Sequence, residues 1–169
     1  MDKKYIVAVV GAAECSNNEQ MQAAFIGRLL AEHGVVLISG GRGGVMEAAC
    51  GGARAGGGLT IGVLPGDTRQ DANPHIDIPI VTGMGEARNA IIINSADAVI
   101  AVGGSYGTLS ELAFATKREI PVVGLGTWQA TDGEGRPLDI EVVGSAEEAV
   151  NTVMALLDED AQPAGDESK

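Results

Sequence analysis

The sequence predicts a single doubly wound α/β domain around a mostly parallel sheet. Short β-rich apolar runs recur at residues 5–10, 35–39, 59–64, 98–102 and 121–125. They lack polar alternation, as strands covered on both faces require. Helically spaced stretches separate them, and alternating strand and helix implies an α/β sheet. Glycines follow three of the runs, at Gly11, at residues 40–44 and at residues 103–107. In an open parallel sheet such turns share the carboxyl edge, where ligands bind.

Each element has its own signal. The N-terminal run is read as the first strand, not a lipidation signal, because Glu14 stands where a small residue would precede Cys15. Met21, Phe25, Ile26, Leu29 and Leu30 then repeat at helical spacing, with Gly34 as a C-terminal stop. A second helix is expected over residues 45–55, directly after GGRGG. The stretch at 65–79, rich in Pro, Asp and Asn, reads as a long surface loop and candidate lid, leading into a short strand at 78–81. A helix over 86–95 would place Ala87, Ala90, Ile91 and Asn94 on one face, with Ile92 and Ile93 widening it. The last helix, 145–157, opens on the capping-box spacing of Ser145 and Glu148. Residues 158–169 are acidic and read as a disordered tail after a domain spanning 1–157.

Composition narrows the function. The chain has 169 residues, 45% of them apolar, which suits one domain with a substantial core. Its 11 Lys+Arg against 23 Asp+Glu leave no basic stripe, so a nucleic-acid partner is not expected. No run approaches the ~20 apolar residues that span a bilayer, so no membrane partner is expected either. Cys15 and Cys50 are too few for a disulfide framework, and the expected location is cytoplasmic. Neither cysteine has a basic neighbour that would make it a nucleophile. His33 and His75 lack partners at metal-ligand spacing, so no metal site is expected, and no resident cofactor.

The strongest chemical signal is AVIAVGGSYGTLSELAFATK, residues 98–117, which reads as buried strand, glycine turn and helix start in succession. Gly103, Gly104 and Gly107 let backbone N–H groups approach an anion, and Ser105 and Thr108 add hydroxyls where the helix donors converge. Because the chain carries a net charge of −12, local donors must supply the attraction, which favours a small phosphorylated ligand. A nicotinamide dinucleotide fits poorly. G-A-A-E-C-S after the first strand lacks the G-x-G-x-x-G spacing, and the second strand ends in Ser39 without an acid for the ribose.

Taken in order, Ser39–Gly57 (SGGRGGVMEAACGGARAGG), Gly85–Asn89 (GEARN) and Gly103–Glu111 (GGSYGTLSE) are similar to the three blocks of the Lonely Guy-type phosphoribohydrolases and the related molybdenum-cofactor carrier proteins. The resemblance runs over about residues 5–125. It implies a Rossmann-like fold, phosphate binding by Gly104, Gly107 and Thr108, and Arg88 with Glu111 as the pair that cleaves the N-glycosidic bond of a nucleoside monophosphate. Gly11, Gly40, Gly41, Arg42, Gly43, Gly103 and Ser105 complete the expected ligand site. The implied ligand is an AMP-like nucleotide or a pterin phosphate. The implied assembly is a homodimer or higher oligomer, with helix 86–95 packing across the boundary.

Two positions depart from the enzyme pattern. Val102 replaces the proline before the glycines, and Asn89 replaces the lysine of an Arg-Lys pair; the Arg-Asn pair resembles the carrier branch. Non-catalytic readings therefore stand beside the catalytic ones. Thr108 and Glu111 have capping-box spacing, and Arg88 at a helix surface would simply pair with Glu86. Arg42 reads either as an exposed loop arginine or as reaching a second phosphate. Amino-acid decarboxylation on pyridoxal phosphate is set aside, because Lys117, the only lysine between Lys4 and Lys169, lies turns away from the glycines.

Overall fold

A computed structural model describes residues 4–160. Seven strands form one sheet, all parallel: β1 (Ile6–Gly11), β2 (Val36–Ser39), β3 (Thr60–Leu64), β4 (Ile78–Val81), β5 (Ala98–Val102), β6 (Val122–Leu125) and β7 (Glu141–Val143), in the spatial order β4-β3-β2-β1-β5-β6-β7. The expected fold class holds, and every expected strand is present. β7 is additional. The chain starts at the centre, winds outward through β4, then crosses back to β5 beside β1. That reversal opens a crevice at the carboxyl edge between β1 and β5.

Helices cover both faces. Odd residues of β1, Val7 and Val9, point into a core shared with α1 (Asn17–Glu32), α2 (Val45–Ala55) and α5 (Ala146–Asp160). Even residues, Ala8 and Val10, face α3 (Asn89–Asn94) and α4 (Tyr106–Lys117) through Ile92, Ile93 and Leu112. This is the period of two of an extended chain buried on both sides. All five residues of β5 are buried, which is why the sequence shows an unbroken apolar run there.

α1 and α2 touch backbone to backbone. A Cβ on Gly52 would overlap the Ala24 carbonyl, and one on Gly27 the Ala49 carbonyl. Neither obstacle is a side chain that can swing away. Gly52→Val should therefore lower the unfolding free energy by about 1–3 kcal/mol or more, read from the urea midpoint. An unchanged midpoint would mean that the two helices slide apart at no cost.

Three expectations need correction. Residues 85–88 form a 3₁₀ turn (Gly85–Arg88) ahead of α3. Its tighter winding shifts the helical phase, so the buried face carries Arg88, Asn89, Ile92 and Ile93 in place of Ala87, Ala90, Ile91 and Asn94. Ile92 and Ile93 are spent in this chain's own core, whereas Ala87 and Asn94 stay exposed and Ala90 and Ile91 half-buried. α5 continues through Asp160, so residues 158–160 of the expected tail are helical; residues 161–169 lie outside the described region. Ser145 does cap α5, accepting the Glu148 N–H at 3.1 Å, while the Glu148 carboxylate accepts from Gly144 N–H at 2.8 Å.

Candidate functional site

β1 and β5 end level, Gly11 beside Val102, so the turns after them open into one cleft. The cleft measures about 220 Å³ and is lined by Gly11, Ala13, Arg42, Met46, Pro65, Glu86, Arg88, Asn89, Ser105, Gly107, Thr108 and Glu111. Of the residues expected from the sequence, Gly11, Arg42, Arg88, Ser105, Gly107, Thr108 and Glu111 meet here. The remaining glycines shape the turns behind. Gly40 makes room for the Arg88 guanidinium, whose Nη atoms occupy the space its Cβ would need; Gly103 does the same for the Glu19 carboxylate. Gly41 lies against Leu64 and Gly62, and Gly43 near the Ala13 carbonyl.

Gly104 has φ +137, and a Cβ there would sit 2.8 Å from Thr108 Cβ and Cγ2. Backbone conformation and space both demand glycine. Gly104→Ala should therefore distort the turn and lower the unfolding free energy by about 1–3 kcal/mol, read from the urea midpoint.

α4 begins three residues earlier than the Thr108–Glu111 spacing suggested. Ser105 is its N-cap, and the Ser105 N–H donates to Thr108 Oγ1 at 3.2 Å. This places Glu111 beyond the first turn, where it cannot cap; the capping-box reading is corrected. Glu111 is only 6% exposed. Burial raises its carboxyl to about 8, with Arg88 opposing the rise and Glu86 adding to it, which favours the protonated form at neutral pH.

Arg88, 5% exposed, is not the solvated surface arginine of the alternative reading. It forms no ion pair among the described residues, and its buried Nε has no hydrogen-bond acceptor. Burial pulls its pKa below the ordinary value; Glu111 and Glu86 oppose that pull and nearby Arg42 adds to it. A guanidinium cannot escape by losing its proton. The cleft thus contains a buried cation whose Nε–H has no acceptor.

Asn89 is equally buried, and its amide nitrogen is engaged. Its Nδ2 donates to Ser110 Oγ at 3.0 Å and to Glu86 Oε2 at 3.5 Å, and the Ser110 hydroxyl donates to the Gly107 carbonyl at 2.7 Å. This chain of bonds fixes α3 against the glycine turn. Asn73 was not read as functional, yet it anchors the long loop to GGRGG: its N–H donates to Gly41 O at 2.9 Å and its Nδ2 to Arg42 O at 2.9 Å. The expected lid is therefore pinned at Asn73. Met46, Pro65 and Glu86 are further lining residues that the motifs did not single out.

The cysteines stay out of the chemistry. Burial and the neighbouring Glu19 raise the Cys15 thiol, and burial raises Cys50 to about 11. Both are thiols, not thiolates, at neutral pH.

Fold and cleft together define a Rossmann-like α/β protein with a polar site at the carboxyl edge of its sheet. The chain belongs to the SLOG cluster4 family, whose model matches residues 4–157. It is 34% identical over 139 residues to the cytokinin riboside 5'-monophosphate phosphoribohydrolase of Mycobacterium tuberculosis, covering 76% of this chain and 74% of that protein. The molybdenum cofactor binding protein of Rippkaea orientalis superposes with a TM-score of 0.83 at 35% identity, over 92% of this chain and 98% of the other. The Moco carrier protein of Chlamydomonas reinhardtii gives 0.80 at 37%, over 93% and 99%. Both branches suggested by the sequence blocks are thus represented among its relatives. In addition, no helix of the described residues is long and apolar enough to cross a membrane.

Proposed function

We propose that this protein binds a small phosphorylated, nucleotide-like ligand, phosphate at residues 103–108, and hydrolyses the N-glycosidic bond of a nucleoside 5'-monophosphate. The carrying observation is Arg88, a buried guanidinium facing the cleft without an anion partner. An uncompensated buried charge costs several kcal/mol, and a ligand oxyanion offsets that cost. The N–H groups at the start of α4 and the Thr108 hydroxyl supply further donors.

The buried, protonated Glu111 is the proton source. As the C1'–N bond breaks, its electron pair leaves with the base, and Glu111 delivers its proton to a base ring nitrogen. Positive charge builds on the ribose in such a transition state. Water then adds to C1' and returns a proton to the Glu111 carboxylate, giving free base and ribose 5-phosphate. Arg88 clamps phosphate or ribose oxygens.

A second reading is a carrier that holds a phosphorylated ligand such as the molybdenum cofactor without turnover. Asn89 favours it: it stands where the enzyme pattern has a lysine, and its amide nitrogen is already committed to Ser110 and Glu86. Incubation with AMP and a panel of nucleoside monophosphates, with chromatography for free base, separates the two. Base release supports hydrolysis; saturable binding without release supports the carrier.

Assembly into a homodimer or larger oligomer is part of the same proposal, and further exposed apolar groups stand near helix 86–95 and on the sheet edge. Met84, Phe114 and the β4 side chains Ile78 and Ile80 are exposed apolar groups.

A further inference from the structure

The glycine turn after β5 does not stand by itself, because the chain leaving β6 holds it from outside. Gly103 N–H donates to Leu125 O at 3.0 Å, and Ser105 O accepts the indole N–H of Trp128, also at 3.0 Å. These two bonds bracket Gly104. Ser105 is the N-cap of α4 and lines the cleft; its own N–H donates to Thr108 Oγ1, and its carbonyl also accepts from Leu109 N–H. Trp128 thus grips the residue at which extended chain turns into helix.

The local sequence carries the indole to that point. Gly126, at φ +61, turns the chain after β6, a conformation that glycine adopts without strain. A Cβ on Gly124 would sit 2.7 Å from Thr127 Cγ2 and 2.8 Å from Ile140 Cγ2, so glycine lets both ends of the 126–140 excursion close over the strand. Trp128 packs in part on the core beneath α3 and α4, and its ring centroid lies 5.5 Å from that of the exposed Tyr106. With Leu138 and Ile140 it also borders an open groove of about 560 Å³. Packing alone therefore does not fix the indole, and the bond to Ser105 completes its orientation.

We infer that Trp128 is a positioning residue for the phosphate seat. Its indole N–H fixes Ser105 and, through it, the N–H groups that open α4, and the indole in turn registers a phosphate bound there. An anion accepting from those N–H groups acts on the same turn whose carbonyl Trp128 holds. This inference rests on the seat proposed at residues 103–108.

The test is calorimetric titration of the full chain with AMP, for the native sequence, Trp128→Phe and Leu138→Ala. Trp128 is the chain's one tryptophan, so its emission is followed through the native titration. Phenylalanine keeps an aromatic ring but has no N–H, whereas Leu138→Ala loosens the same excursion and leaves the indole bond in place. Thermal melts establish that the variants are folded at the assay temperature. The expected result is AMP binding weakened about three- to tenfold in Trp128→Phe, the scale of one neutral hydrogen bond, with a smaller loss in Leu138→Ala and a native emission shift that follows the calorimetric curve. A loss below about threefold in Trp128→Phe, or an equal loss in Leu138→Ala, makes Trp128 a packing residue only; it overturns the inference and leaves the seat standing. An emission that stays constant through saturation overturns it as well, and that readout decides alone if Trp128→Phe does not fold. Native protein that binds no AMP overturns the seat itself, and this inference with it.

Discussion

Glu111→Gln reduces the release of free base from AMP by about 10²–10⁴-fold, the usual contribution of a positioned general acid. AMP still binds within a few-fold, because glutamine keeps the shape and neutrality of the protonated carboxyl but has no acidic proton. Arg88→Ala acts differently. It removes the only buried cation of the cleft, so it weakens AMP binding as well as turnover. It also leaves a void against Gly40, and Arg88→Lys serves as a control that retains the charge while losing the guanidinium fork. Single-turnover kinetics separate the two effects. Should Glu111→Gln cleave AMP as fast as the native protein, Glu111 is not the proton donor.

Stability should fall as pH rises from about 4.5 to about 8, and Glu111 is the reason. Its carboxyl titrates near 4.5 when exposed and at about 8 in the fold. Between those values the folded form holds a proton that the unfolded form has released. Its contribution is complete below 4.5, declines through the interval and is gone above 8, a change on the order of a few kcal/mol. Glu111→Gln cancels this slope and makes the variant the more stable form at pH 9. Urea midpoints of both proteins at pH 5, 7 and 9 decide the matter; parallel profiles would show that Glu111 is ionised in the fold. The same titration imposes an alkaline limb on base release, with activity falling above about 8.

What the sequence disclosed depended on how local the cause was. β5 and the turn into α4 were legible because full burial makes an unbroken apolar run, and the glycines after it answer to backbone geometry. β7 escaped notice as a three-residue edge strand with an exposed glutamate and valine. Glu111 was singled out, yet its spacing from Thr108 mimicked a capping box; the true N-cap at Ser105 releases it from that role, and it lines the cleft. The burial of Arg88 depended on the 3₁₀ turn, whose phase a continuous helical pattern does not report. Asn73 was invisible because its role lies in contacts with Gly41 and Arg42, distant in sequence.

Titration of the purified protein with AMP at pH 7, followed by calorimetry beside Gly104→Ala, tests the central claim most directly. Saturable one-site binding that weakens at least tenfold in the variant is the predicted result. No binding by the native protein, or equal binding by both, would contradict a phosphate seat at the start of α4.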